Sequence, residues 1–329
     1  MKKGTIAQIV PFLFTSNATE QPRNHRRFFA VIATTNSSLT IKMNPMKIFS
    51  ITRSLFVLGL LLAVTISCSD DDDNQQPVSN DVMLKDAGSL GKVLTDKDGR
   101  SLYFFTKDAG TTSVCTGQCL TRWPVFSVAN PTSIKLDAGL KASDFANITR
   151  TDGVTQTTYK GWPLYYFQDD AAAGDAKGEG MGNLWYVAKT KYTVMLSNAQ
   201  LVGNDGKSYK ADYTEGTAET QFIVDSLGRT LYAFARDSSM NNNWTTNDAT
   251  HDATWPIYEV NTIEDIPSAL DKTLFGTITV FGKKQLTYKG WPLYYFGLDA
   301  MDKGPTKGVS FPRPGVWPIV NKESPIAPK

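Results

Sequence analysis

The chain has 329 residues, 41% hydrophobic and 20% charged, with 34 Lys and Arg against 32 Asp and Glu. That near-balance excludes a polybasic nucleic-acid surface, and the apolar share suffices for one large or two small packed domains. The charge is unevenly placed: residues 1–67 hold eight Lys or Arg and one Glu, so residues 68–329 carry 26 basic and 31 acidic side chains, a net of −5.

Residues 1–45 are basic and precede a signal-like segment, which marks them as an upstream extension with the translation start at Met43 or Met46. Residues 46–67 have the order of a secretory signal: a basic start ending at Arg53, an apolar stretch over 55–64, then Ile66-Ser67 before Cys68. The apolar stretch is shorter than the roughly 20 residues that a spanning helix needs. Ile66-Ser67-Cys68 resembles a lipobox, which implies that Cys68 is acylated and becomes the first residue of the mature chain. Residues 68–84 then read as a flexible acidic tether, because Asp70-Asp71-Asp72-Asp73 cannot pack like charges together. This string is similar to the acidic tag that directs some Gram-negative lipoproteins outward. The expected location is the outer membrane, lipid-anchored and surface-exposed, with the periplasmic leaflet as the alternative.

The remainder is duplicated. Residues 158–167 and 287–296 are the same ten letters, TYKGWPLYYF, and residues 99–108 are matched by 228–237 at the same offset of 129. Two halves follow, 85–199 and 200–329. Each contains Tyr-x-Phe-x-x-Asp twice: Tyr103, Phe105, Asp108 and Tyr165, Phe167, Asp170, then Tyr232, Phe234, Asp237 and Tyr294, Phe296, Asp299. The two tyrosines of a half stand 62 residues apart in both, so the unit is a quarter. A quarter reads as a β-prone run and turn, a Leu-Tyr-x-Phe strand with two apolar faces, a polar loop, and a strand opening on Trp123, Trp185, Trp255 or Trp317. Helical periodicity is confined to short pieces near 138–145 and 263–270. The pattern predicts an all-β fold of four tandem β-repeats in two duplicated halves, propeller-like, with two sandwich- or barrel-like halves as the alternative.

The four motifs, the Trp-Pro strands, the Cys-Thr-Gly-Gln-Cys loop at 115–119 and the lipobox together resemble a bacterial lipoprotein family of Tyr-x-aromatic-x-x-Asp repeats, a secreted repeat of unknown function. The resemblance spans roughly residues 85–320. It implies an envelope lipoprotein and brings no activity, substrate or catalytic residue.

Each motif Asp heads a polar loop, where it either fixes a turn through nearby backbone N–H groups or joins a ring of oxygen ligands for Ca²⁺ with Asp169 and Asp175. Cys115 and Cys119 in an exported chain form either a small disulfide ring or a thiolate pair suited to Cu(I). His251 precedes Trp255 by four residues as Cys119 precedes Trp123, so a Cys115, Cys119, His251 site follows if the two loops meet. The tryptophans serve either as core or as stacking platforms for sugars and other planar ligands. There is no Gly-x-Ser-x-Gly, phosphate loop or His-Glu-x-x-His, so no enzyme is expected. The expected role is binding or scaffolding, with a glycan or another envelope protein as partner besides the membrane. The alternatives are copper or redox handling through the cysteines, and glycan hydrolysis by paired aspartates.

Overall fold

The computed structural model describes residues 80–329; Cys68, the signal segment and the tether as far as residue 79 lie outside the described residues, while Val82–Leu84, expected at the end of the tether, belong to the first strand, with Val82 buried. The fold is all-β, as the alternating apolar patterns dictate. Strands β1 (Val82–Asp86) and β2 (Lys92–Asp96) form an antiparallel hairpin. A tight turn leads into β3 (Tyr103–Phe105): the Asp96 carboxylate accepts the N–H groups of Asp98 and Arg100, both at 2.9 Å, and Gly99 takes φ +80°. Helix α1 (Gln118–Arg122) lies in the cysteine loop. Strands β4 (Phe145–Thr149), β5 (Thr155–Tyr159) and β6 (Trp162–Pro163) form a three-stranded sheet, and β7 (Trp185–Val187) returns to pair with β3.

Strand β8 (Val194–Val202) runs across the boundary between halves and pairs with both β9 (Ser208–Tyr209) and β10 (Glu219–Asp225). After helix α2 (Ala249–Asp252), strands β11 (Phe275–Val280), β12 (Lys283–Tyr288) and β13 (Trp291–Pro292) repeat the β4-β5-β6 sheet. The pieces near 138–145 and 263–270 contain only the single 3₁₀ turn Ala142–Asp144. The two α-helices sit instead where a loop end is fixed: α2 is N-capped by Asp248, which accepts the His251 N–H at 2.8 Å.

The quarters are joined by exchange. Tyr103 bridges to Tyr165 and pairs with Val187, while Tyr165 also bridges to Val125. The second half repeats this: Tyr232 bridges to Tyr294 and Ile319, and Tyr294 to Ile257. Each tyrosine strand thus lies beside the other tyrosine strand of its half and takes its outer partner from the tryptophan strand of the other quarter. This pairing unites quarters two by two instead of closing each as a separate propeller blade, and among the described residues no sheet closes into a barrel.

At the centre of each half the exchanged strands line up four rings in a column, three of them stacked and the fourth tilted by 36° in the first half and 31° in the second. In the first half Phe105 lies on Trp185 (4.0 Å, 10°), Trp185 on Trp123 (3.8 Å, 2°) and Trp123 on Phe167 (4.6 Å). In the second, Phe234, Trp317, Trp255 and Phe296 do the same at 4.4, 3.8 and 4.3 Å. The motif tyrosines meet the tryptophan edges, as in Tyr103–Trp123 at 5.4 Å and Tyr294–Trp317 at 5.2 Å. Such pairs add about 0.5–1.5 kcal/mol each beyond the area they bury. Alternation along the motif strand places Leu102 and Phe104 on the opposite face, and all four residues of Leu-Tyr-Phe-Phe are buried.

The second half also covers one face of the first. Trp162 Nε1 donates to Ser226 O at 3.2 Å, Lys303 Nζ donates to Gly161 O at 2.8 Å, and the Lys303 ammonium stands 3.8 Å above the Trp162 ring.

Candidate functional site

The four motif aspartates are buried, and each is held by the tyrosine of the paired quarter. Tyr103 Oη donates to Asp170 (2.7 Å) and Tyr165 Oη to Asp108 (2.6 Å); Tyr232 donates to Asp299 and Tyr294 to Asp237, both at 2.7 Å. The second carboxylate oxygen accepts a backbone N–H six to eight residues on: Val114 for Asp108, Lys177 for Asp170, Asn243 for Asp237 and Lys307 for Asp299. Tyr-x-Phe-x-x-Asp is therefore a reciprocal clamp that locks the exchanged strands and pins each polar loop. Burial raises all four carboxyls above their ordinary value, against the pull of the tyrosine and backbone donors, and reaches about 6 for Asp237 and Asp299. The same desolvation, with a carboxylate partner beside them, pushes the tyrosine hydroxyls upward. Among the described residues no three His, Cys, Asp or Glu side chains converge as a metal site; Asp169 is exposed, and half-buried Asp175 accepts the Ala171 and Ala172 N–H groups and pairs with Lys177.

The repeated ten residues have the same partners twice. Lys160-Gly161 and Lys289-Gly290 all have positive φ, between +50° and +86°, and form two-residue hairpin turns between β5 and β6 and between β12 and β13. Tyr166 donates to Asp96 and Tyr295 to Asp225, at 3.0 and 2.9 Å, which ties each string to the turn ahead of the previous motif strand. Lys160 reaches Thr190 O, and Lys289 reaches the carbonyls of Lys322 and Ser324.

Cys115 and Cys119 are joined as a disulfide that ties the buried loop to α1. His251 does not join that pair in a three-residue cluster among the described residues; it stacks on Trp244 at 4.4 Å and shares a hydrogen bond with Asp252 at 2.9 Å. Trp244 and His251 occupy the duplicate positions of the two cysteines, so an aromatic stack does in the second half what the disulfide does in the first. The first half adds a buried cation that sequence reading overlooked. The Arg150 guanidinium bonds Gln156 Oε1 at 2.8 Å, Ser113 Oγ and Cys115 O, with Asp152 at 3.2 Å, and Ser113 continues to Tyr165. Four of its five N–H donors are used for structure.

A large open concavity lies elsewhere, on the second half: a cleft of about 550 Å³ lined by Ala233, Trp291, Pro318, Val320 and Asn321, with Tyr213 at one side. Its counterpart in the first half is filled. There Phe104 is caged by Trp162, Tyr186 and Tyr192 at 5.2, 5.8 and 5.9 Å. In the second half the equivalent positions are Ala233, Trp291, Pro318 and Ser324, so three of the four rings are missing and only the tryptophan remains. The signal was in the sequence: the middle position of Leu-Tyr-x-Phe is Phe104, Tyr166 and Tyr295 in three motifs and Ala233 in the other.

Three segments, residues 86–127, 146–189 and 278–321, match the family described as a secreted repeat of unknown function. They contain the clamps' Tyr103, Asp108, Tyr165, Asp170, Tyr294 and Asp299; the segment around Tyr232 makes the same bridges and the same clamp without a match of its own. No curated protein and no solved structure matches the chain. Among the described residues no helix is long and apolar enough to cross a membrane. Over those three segments the chain is similar to the family described as a secreted repeat of unknown function, the family that its Tyr-x-Phe-x-x-Asp motifs resemble.

Proposed function

We propose that this protein is a lipid-anchored binding module of the cell envelope, held by Cys68 at the outer membrane and displayed outward, with no catalytic activity. Its body we read as four copies of one repeat in two strand-exchanged pairs. The observation that carries the binding role is the cleft of about 550 Å³, a volume typical of small-molecule sites, beside the partly buried Trp291. The motif aspartates support a non-catalytic role, because each already satisfies a tyrosine and a backbone donor and is shielded from substrate. Copper or redox handling is disfavoured by thiols already joined to one another. Glycan hydrolysis is disfavoured because, of the two carboxylates lining a groove of about 350 Å³, Asp252 and Glu259, Asp252 is occupied by the Thr246 and Asn247 N–H groups and by His251 and stays below its ordinary value despite desolvation.

A glycan and small-molecule array probed with residues 69–329, as wild type and Trp291→Ala, tests the reading. Ligands retained by the wild type and lost by the variant support it. An empty array, or equal retention by both, overturns it.

A further inference from the structure

From the contrast between the two halves we infer that the cleft takes a planar aromatic ligand, neutral or cationic, in the place that the Phe104 ring occupies in the first half. The inference rests on the binding role proposed above and names its ligand class.

The first half supplies the template. Phe104 is 1% exposed, inside a cage whose tryptophan, Trp162, is itself capped by Ser226 O and Lys303 from the second half. In the second half the corresponding tryptophan, Trp291, keeps its indole N–H satisfied by Pro325 O at 2.8 Å, but its ring borders open space. The C-terminal segment that supplies Pro325 forms one wall of the cleft, and Ala233 and Val320, which flank the Tyr232–Ile319 bridge, form its floor. A wall that holds the indole in place at the edge of an open cleft of about 550 Å³ preorganises an aromatic face for a second ring.

Charge narrows the class. The ionisable side chains that line the cleft are Asp212 and Glu323; no Lys or Arg does so. Asp212 is held ionised, its carboxyl lowered by the Thr214 side chain and N–H. An anionic aromatic meets two lining carboxylates, while the nearby Lys289 ammonium is already taken up by the Lys322 and Ser324 carbonyls; an ammonium group is attracted at the mouth and can also lie against the Trp291 face. Deeper in, Asn321 is 9% exposed, and its carboxamide oxygen accepts from Ser324 while its nitrogen makes no hydrogen bond among the described residues. That amide offers one donor to an oxygen or nitrogen on the ring.

The test is a charge series on one ring system: naphthylmethylammonium, naphthalenemethanol and naphthylacetate, titrated by calorimetry and by the ¹H–¹⁵N signal of the Trp291 indole. The expected order is cation, then alcohol, then anion, with at least a tenfold difference between the ends that shrinks as salt is raised. Ala233→Phe restores the ring that the first half carries and abolishes binding of all three with an unchanged melting temperature. Asp212→Asn with Glu323→Gln keeps binding and levels the series. Equal affinity for cation and anion, or unchanged binding by Ala233→Phe, overturns the inference. If the naphthyl compounds fail while array glycans still bind through Trp291, the ligand class falls and the binding role stands; if both fail, both fall.

Discussion

The Asp237–Tyr294 clamp gives the sharpest test of the buried motif. Asp237 is 2% exposed, and burial lifts its carboxyl from an ordinary 3.8 to about 6. The folded state therefore binds a proton over a range where the unfolded chain has released it. Stability from this group is fully present below pH 3.8 and is lost as pH rises through about 6. The gap between those two values is worth about 3 kcal/mol at neutral pH. Asp237→Asn removes the titration while keeping an acceptor for Asn243 N–H. Whatever the substitution does at pH 4, its unfolding free energy relative to wild type should improve by about 2.5 kcal/mol between pH 4 and pH 7.5. Urea unfolding at several pH values in that interval measures it, the difference between proteins cancelling all other titrating groups. A relative stability that worsens with rising pH would refute the reasoning, because it would mean that the tyrosine and backbone donors outweigh desolvation.

Tyr165→Phe strips Asp108 of its tyrosine donor and should lose about 1.5–3 kcal/mol by chemical denaturation. Gly178→Ala places a Cβ 2.7 Å from the Trp123 ring, where the stacked column leaves no room, and should cost about 1–3 kcal/mol in the same assay. Free-thiol titration of residues 69–329 should find none before reduction, and replacing both cysteines by Ala should cost only about 2 kcal/mol, because the disulfide closes a loop of a few residues. Mass spectrometry of the native protein should find a diacylated N-terminal Cys68, and Cys68→Ala should move the protein out of the membrane fraction.

The strand content and its doubling were legible because both are local. Period-two alternation around Tyr103 and the repeated ten letters need only neighbouring residues to be seen. The clamp was not, since each motif Asp meets a tyrosine 57 or 67 positions away, in the other quarter. Read locally, Asp108 is a turn residue, and it does pin a loop, but through a residue six positions on instead of two. The possible meeting of Cys119 and His251 followed from their equivalent positions; equivalence under duplication places two residues in like surroundings and does not bring them together. Arg150 is in no motif, and its burial depends on Ser113, Gln156 and Cys115 from separate segments. The cleft was written in Ala233, but a missing ring is informative only once the cage around Phe104 is known.

The exchange of tryptophan strands has a consequence for how such genes grow and shrink. A solitary copy has no intramolecular mate for its outer strand and could complete its sheet only by borrowing from a second molecule. Copy number compatible with a monomer therefore changes in twos, and a truncation that leaves an odd copy opens a direct route to swapped dimers.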